Sequence, residues 1–314
     1  MTVISVVIPV FREAACLTEL HRRLKHTLAS LTPDHEILFV EDGGGDASWS
    51  VIAELAAADV RTKGLKLTRN FGQHYSITAG LDHCHGDWVV VMDADLQDRP
   101  EEIPRLYAKA QQGYDIVLAR RGTRRDPPLK RITSWVFYKI FRYLADIEYD
   151  GESGNFRIMS RKVVTNFRGM REQLRFFGGL VQWMGFPTAS IEVEHAERFE
   201  GKSSYTFAKL WKLATETILA YSDKPLRVAV RLGFLMTFFS FCYGTYILGR
   251  ALLYGSPIPG WNSLIVSLYF IGGVIIAILG IIGIYLGKTF DESKKRPLYI
   301  IHKATFPEGE KVRE

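Results

Sequence analysis

Cysteine is scarce in this sequence: Cys16, Cys84 and Cys242 are the only three in 314 residues, and they lie far apart. An odd, scattered set supports neither a disulfide framework nor a zinc pattern, and it suits a reducing compartment. Two nucleotide-binding signatures are also missing. There is no G-x-x-x-x-G-K-[ST] loop and no G-x-G-x-x-G turn, so ATPase and dehydrogenase chemistry lose their main support. Met1-Thr2 supplies no basic leader and the apolar run from Ile4 to Val10 is short, so no signal peptide is expected. Internal repeats and low-complexity tracts are absent. The net charge of +6 comes from basic residues that are dispersed or flank apolar stretches. That distribution favours phosphates or an acidic membrane surface over nucleic acid.

What is present is unevenly spread. Apolar runs at 4–10, 36–40, 65–67, 89–92 and 115–119 read as strands, and helical patterns separate them. Such alternation predicts an α/β fold: a mainly parallel sheet with helices on both faces. A basic loop from Arg120 to Pro128 follows, then an aromatic-rich helix over 135–144 that fits either core packing or a membrane surface. Further strands are expected at 154–160 and 188–194, with a helix at about 177–184. The chain becomes largely apolar from Leu226 to Leu286. Leu232 to Gly249 is 18 residues without a charge and Ser263 to Gly287 is 25, enough for two membrane spans. Their connecting loop carries only Arg250. The outer flanks hold Lys224, Arg227 and Arg231 on one side, and Lys288, Lys294, Lys295 and Arg296 on the other. The positive-inside rule then puts both flanks in the cytoplasm. The expected organisation is a cytoplasmic catalytic domain over 1–205, an interfacial helix over 206–226, a membrane hairpin over 227–288, and a cytoplasmic tail over 289–314.

The most informative stretch is VVVMDADLQDRPE, from Val89 to Glu101. A β-rich apolar run reads as a strand buried on both faces, and it stops at Asp93-Ala94-Asp95. Paired carboxylates at the end of a buried strand are costly unless a cation meets them. In open α/β sheets, that edge is where ligands bind. A hard divalent ion holding a diphosphate fits, since Mg²⁺ favours one or two carboxylates plus phosphate oxygens. Two more strands end in Pro9-Val10-Phe11-Arg12-Glu13 and Glu41-Asp42-Gly43, which would lie beside the acidic pair. His83-Cys84-His85 has poor spacing for one metal ion and reads as a helix end.

Val7–Glu13, Glu41–Gly43, Arg69-Asn70-Phe71-Gly72-Gln73 and Asp93–Glu101 together resemble the GT-A-fold glycosyltransferases of family 2. More narrowly, the chain is similar to the polyprenyl-phosphate glycosyltransferases, over about residues 3–220 and with paired membrane spans after them. The resemblance implies inverting sugar transfer from a nucleotide-sugar, most often a UDP-sugar, to a polyprenyl phosphate such as undecaprenyl phosphate, at the inner (plasma) membrane. By the same resemblance Pro9, Phe11, Glu13, Asp42, Gln73 and Asp93 would hold the donor. Asp93, Asp95 and Gln97 would bind Mg²⁺ or Mn²⁺, and Arg120 would face the phosphates. Asp95 and Arg120 are thereby catalytic candidates. Arg198, Lys202, Ser204 and Tyr205 would receive the acceptor phosphate, and a homo-oligomer is implied. The chain departs from the pattern at Asn155, the third candidate, where many relatives carry Asp as a possible base. Asn155 cannot take a proton, although Asp150 or Glu152 could substitute. The rival readings are a processive polysaccharide synthase and a catalytically inactive nucleotide-sugar-binding scaffold. The first lacks its Gln-x-x-Arg-Trp motif here: Gln173-Leu174-Arg175-Phe176 has the wrong spacing.

Overall fold

The computed structural model describes residues 3–121, 153–193, 224–254 and 260–307. They fall into two compact units. One joins 3–121, 153–193 and 296–307; the other holds 224–254 and 260–295.

The first unit is built on an eight-stranded sheet. Its strands are β1 (Ile4–Val10), β2 (His35–Glu41), β3 (Thr62–Leu67), β4 (Trp88–Val91), β5 (Ile116–Arg121), β6 (Ser153–Ser160), β7 (Thr188–Val193) and β8 (Ile301–Ala304). Their order is β7-β5-β6-β4-β1-β2-β3-β8. The β1/β2, β1/β4, β2/β3 and β5/β7 pairs are parallel. β6 runs antiparallel between β4 and β5, and β8 is antiparallel to β3. The expected mainly parallel sheet is therefore present, with two antiparallel insertions that strand periodicity does not distinguish.

All seven residues of β1 and of β2 are buried, as expected of central strands covered on both faces, although β2 also buries His35, Glu36 and Glu41. Pro9 sits within central β1, where a proline is ordinarily excluded. Val7 accepts from Met92 N on the β4 side, and Val10 accepts from Asp42 N on the β2 side. Pro9 therefore turns its missing N–H toward β4, which has already ended opposite Val7. No ladder bond is lost there.

One face of the sheet is covered by α1 (Ala14–Leu31), α2 (Ser48–Ala58) and α4 (Ile103–Ala110), closing a core of Val6, Ile8, Leu17, Leu24, Phe39 and Val90. The other face carries α3 (Gln73–His83), with α5 (Arg161–Gly169) and α6 (Phe177–Trp183) packed beside it. A Cβ on Gly80 would collide with the Val7 side chain, so glycine lets α3 lie directly on β1. Arg168 and Arg161 donate to the Cys84 carbonyl at 2.6 and 3.1 Å, capping the end of α3. His83-Cys84-His85 is thus a helix end. Burial pushes the Cys84 thiol up to about 11, so it is unreactive at neutral pH.

β8 is the element the sequence did not announce. The tail pairs with β3 and exchanges Gly64 N–Thr305 Oγ1 and Thr305 N–Gly64 O bonds of 2.9 and 3.0 Å. Tyr299 Oη also donates to Asp82 on α3 at 2.8 Å.

The second unit is a pair of long helices, α7 (Lys224–Tyr254, 31 residues) and α8 (Trp261–Ser293, 33 residues). Each contains a segment long and apolar enough to cross a membrane. Phe234, Phe241 and Ile276 each expose more than 70% of their surface, as apolar residues do where a helix meets a membrane or a protein partner. The expected aromatic helix over 135–144 and nearly all of the interfacial helix over 206–226 lie outside the described residues.

Candidate functional site

Parallel pairing of β1 with β2 and β4 brings their carboxyl ends to one edge of the sheet, as the motif spacing requires. A cleft opens there, lined by Pro9, Phe11 and Glu13 after β1, Asp42 after β2, and Asp93 and Asp95 after β4. Gly72, Gln73 and Ser76 from the start of α3 complete it, with Asn70. Every expected donor-binding residue therefore lies in one cleft. Ser76, which the sequence reading missed, follows Gln73 by three positions and so shares its helix face.

The turns around the cleft are tightly specified. Gly43 has φ +64°, and a Cβ there would run into the backbone of Arg69 and Asn70. This contact lets the 42–44 turn meet the 69–72 loop. Asp42 closes the same junction, accepting from Phe71 N at 2.8 Å and Gly72 N at 2.9 Å. Burial raises the Asp42 pKa, and those two amides only partly offset it. Leu96 adopts a left-handed φ of +62°, uncommon for a branched side chain. Its side chain is 4% exposed and belongs to the main core, which anchors the turn between Asp95 and Gln97.

Side-chain and main-chain amides meet the acidic pair. Asp93 Oδ1 accepts from Gln73 Nε2 at 2.8 Å and from Asn155 Nδ2 at 3.2 Å. Asp95 Oδ1 accepts from Gln97 N at 3.1 Å. Hard carboxylate oxygens from two residues at one cleft fit Mg²⁺ or Mn²⁺. Gln97 meets the pair through its main chain, and its side chain is not among the residues lining the cleft. Arg120 lies near the end of β5 on the same sheet edge, opposite Ser153 of β6, outside that lining. Arg198, Lys202, Ser204, Tyr205, Asp150 and Glu152 lie outside the described residues.

Asn155 reaches the site because β6 is antiparallel: Arg157 pairs with Val91, so the strand's first residues overhang the end of β4. Beneath the cleft, His74 packs edge-on against Phe176 at 5.5 Å. Burial, then Arg157 and Arg175, push its pKa down to about 4, so the imidazole is neutral at physiological pH.

Comparison with known proteins agrees with this geometry. Residues 5–167 match the Glycosyl transferase family 2 domain. The chain is 40% identical over 299 residues to a bactoprenol glucosyl transferase of Shigella phage SfV, covering 95% of this chain and 97% of that protein. It is 38% identical over 301 residues to an uncharacterized glycosyltransferase of Bacillus subtilis (strain 168), covering 96% and 93%. Among solved structures, glucosyl-3-phosphoglycerate synthase from Mycobacterium tuberculosis, in complex with Mn²⁺ and UDP, superposes with a TM-score of 0.50 at 16% identity. That match covers 69% of this chain and 78% of the synthase, and shows a shared GT-A fold. The sheet edge, the motif order and these relatives agree: this chain belongs to glycosyl transferase family 2, and it is a glycosyltransferase.

Proposed function

We propose that this protein transfers a sugar, with inversion, from a UDP-sugar to a polyprenyl phosphate such as undecaprenyl phosphate. The observation that carries the reading is the cleft itself, where Asp93 and Asp95 face Phe11, Asp42 and Gln73 on one sheet edge. Near full-length similarity to a bactoprenol glucosyl transferase supports the lipid acceptor. Two helices able to cross a bilayer would keep the enzyme beside that lipid.

In this reading Phe11, 41% exposed at the cleft, offers a face for the nucleobase, and Pro9, Glu13, Asp42 and Gln73 line the nucleoside site. Asp93 and Asp95 would hold Mg²⁺ or Mn²⁺, which when bound neutralises the donor diphosphate and stabilises it as leaving group. Gln97 orients Asp95 through its amide. Arg120 would face the phosphates, and Arg198, Lys202, Ser204 and Tyr205 would receive the acceptor phosphate. A phosphate oxygen of the lipid attacks the anomeric carbon as its bond to the diphosphate breaks. A phosphomonoester carries about −1.5 to −2 charge near pH 7, so its oxygen needs no general base. Asn155 is compatible with that chemistry, and the site works by positioning the two substrates.

The same arrangement bears on membrane sidedness. β8 rejoins the sheet after α8, so the chain that leaves the first unit before α7 returns to it. Two crossings satisfy that closure, with both termini and the catalytic unit in the cytoplasm by the positive-inside rule. We place the enzyme in the inner membrane as a homo-oligomer.

The test is a donor screen: purified protein in detergent, undecaprenyl phosphate, Mn²⁺ or Mg²⁺, and radiolabelled nucleotide-sugars, with Asp95→Ala alongside. A labelled lipid made by the wild type and lost in the variant is the expected result. Binding without transfer from any donor would instead support an inactive scaffold, and label in water-soluble polysaccharide would support a synthase.

A further inference from the structure

Asn155 occupies the one motif position where this chain breaks the pattern it otherwise follows, and the geometry gives that residue a different task. We infer that Asn155 is a positioning residue that, together with Gln73, clamps Asp93 in the orientation needed to hold the divalent cation. The inference rests on the metal site proposed above.

The two amides come from different elements, Gln73 at the first turn of α3 and Asn155 at the start of β6. Both converge on Oδ1 of Asp93, at 2.8 and 3.2 Å. An ionised carboxylate has no proton to give, so the Asn155 atom facing it is the amide nitrogen. Two donors on one oxygen fix the rotation of the carboxylate plane, as outer-shell partners do for metal ligands generally. A carboxylate at position 155 would instead place like charge beside Asp93. The amide supplies the hydrogen bond and adds no charge.

Asn155 is itself held from behind. Arg157 Nε donates to the Asn155 carbonyl at 3.2 Å and Arg157 Nη2 to the Gly154 carbonyl at 2.9 Å. That guanidinium is 4.8 Å from the centre of the Phe177 ring, and the residue is 5% exposed. The backbone carrying the clamp is therefore tied to the packed interior.

The experiment titrates Mn²⁺ into the full-length protein in detergent with UDP present, following free Mn²⁺ by electron paramagnetic resonance. UDP binding in EDTA is measured in parallel. Asn155→Ala is expected to weaken Mn²⁺ binding about tenfold, with metal-free UDP binding unchanged. Gln73→Ala, at an exposed helix start, should shift the Mn²⁺ constant in the same direction and serves if alanine at 155 disturbs the strand. Asp95→Ala separates the two levels of the reading. If it leaves Mn²⁺ binding intact, the metal site itself is wrong. If it abolishes binding while Asn155→Ala and Gln73→Ala stay within twofold of wild type, only the clamp is overturned. An Asn155→Ala protein that loses metal-free UDP binding to the same degree also overturns it, since that marks general damage to the cleft.

Discussion

Strand β2 has one buried carboxylate near its amino end, Glu36, and two at its carboxyl end, Glu41 and Asp42; Glu36 and Asp42 are treated in opposite ways. Glu36, at the amino end, accepts from Ser5 Oγ at 2.6 Å and pairs with Lys63 Nζ at 3.1 Å, with His85 close by. Burial alone would raise its pKa, but His85, Ser5 and Lys63 outweigh burial and hold it at about 2. Asp42, just past the carboxyl end, meets two backbone amides, and burial prevails, so its pKa is raised. The first acid is fully compensated by its own protein. The second is held in shape beside a cleft where a ligand can supply what is lacking. Loss of Glu36 should therefore appear as instability, and loss of the cleft acids as lost chemistry.

The largest effect expected is at the cleft. Asp95→Ala should lower sugar transfer at least about 1,000-fold, the scale of losing electrostatic stabilisation of a leaving group. Its melting temperature should fall less than that of Glu36→Gln. A large stability loss with modest activity loss would reverse the contrast between the two ends. Asp42→Asn comes next. An amide accepts only through its single oxygen, so either the Phe71 or the Gly72 bond goes, and the donor KM should rise about fivefold for about 1 kcal/mol lost. Unchanged donor KM would mean that the 69–72 loop does not shape the donor site.

At the other end, Glu36→Gln should destabilise the protein by about 2–3 kcal/mol, since Lys63 and His85 lose a charged, hydrogen-bonded partner. Turnover per folded molecule should not change. The pH dependence has a definite sign. Glu36 is held below its ordinary value of 4.5, so its stabilisation is present above that pH. It is lost as pH falls from 4.5 toward 2. Asp42 acts oppositely, because protonation relieves its burial. Melting temperatures between pH 5 and 3 should therefore fall steeply in wild type and more gently in Glu36→Gln; parallel curves would show that Glu36 does not govern acid unfolding.

Much of this molecule was legible in the sequence because one physical rule operates along each stretch. Continuous apolar runs ended by Asp, Gly or Pro mark buried parallel strands whose ends share an edge, so Pro9, Asp42, Asp93 and Asp95 could be placed together. What escaped prediction depends on partners distant in sequence. The run Tyr299-Ile300-Ile301 is too short to signal a strand, and β8 exists because β3 offers an unpaired edge. The antiparallel direction of β6 was equally hidden, since alternation of side chains does not reveal polarity. That direction is what brings Asn155 to Asp93, so the residue could be noticed as an exception without its contact being foreseen.

The tail also supplies the smallest test of the contrast, at a third acid. Asp82, near the end of α3, accepts from Tyr299 Oη and from Arg171 Nη1, both at 2.8 Å. Burial and the neighbouring carboxylate raise the Tyr299 pKa, so the phenol stays a donor across the physiological range. This is compensation of the Glu36 kind, applied to the far end of the helix that opens with Gln73. Tyr299→Phe keeps the ring and its packing near His83, 6.3 Å between centroids, and removes one hydrogen bond. Arg171 still neutralises Asp82, so the cost should be about 1 kcal/mol, read as a small drop in melting temperature. Turnover should stay within twofold, because α3 remains seated on β1 through Gly80. A rise in donor KM without a change in melting temperature would instead show that the C-terminal strand sets the position of Gln73 at the cleft.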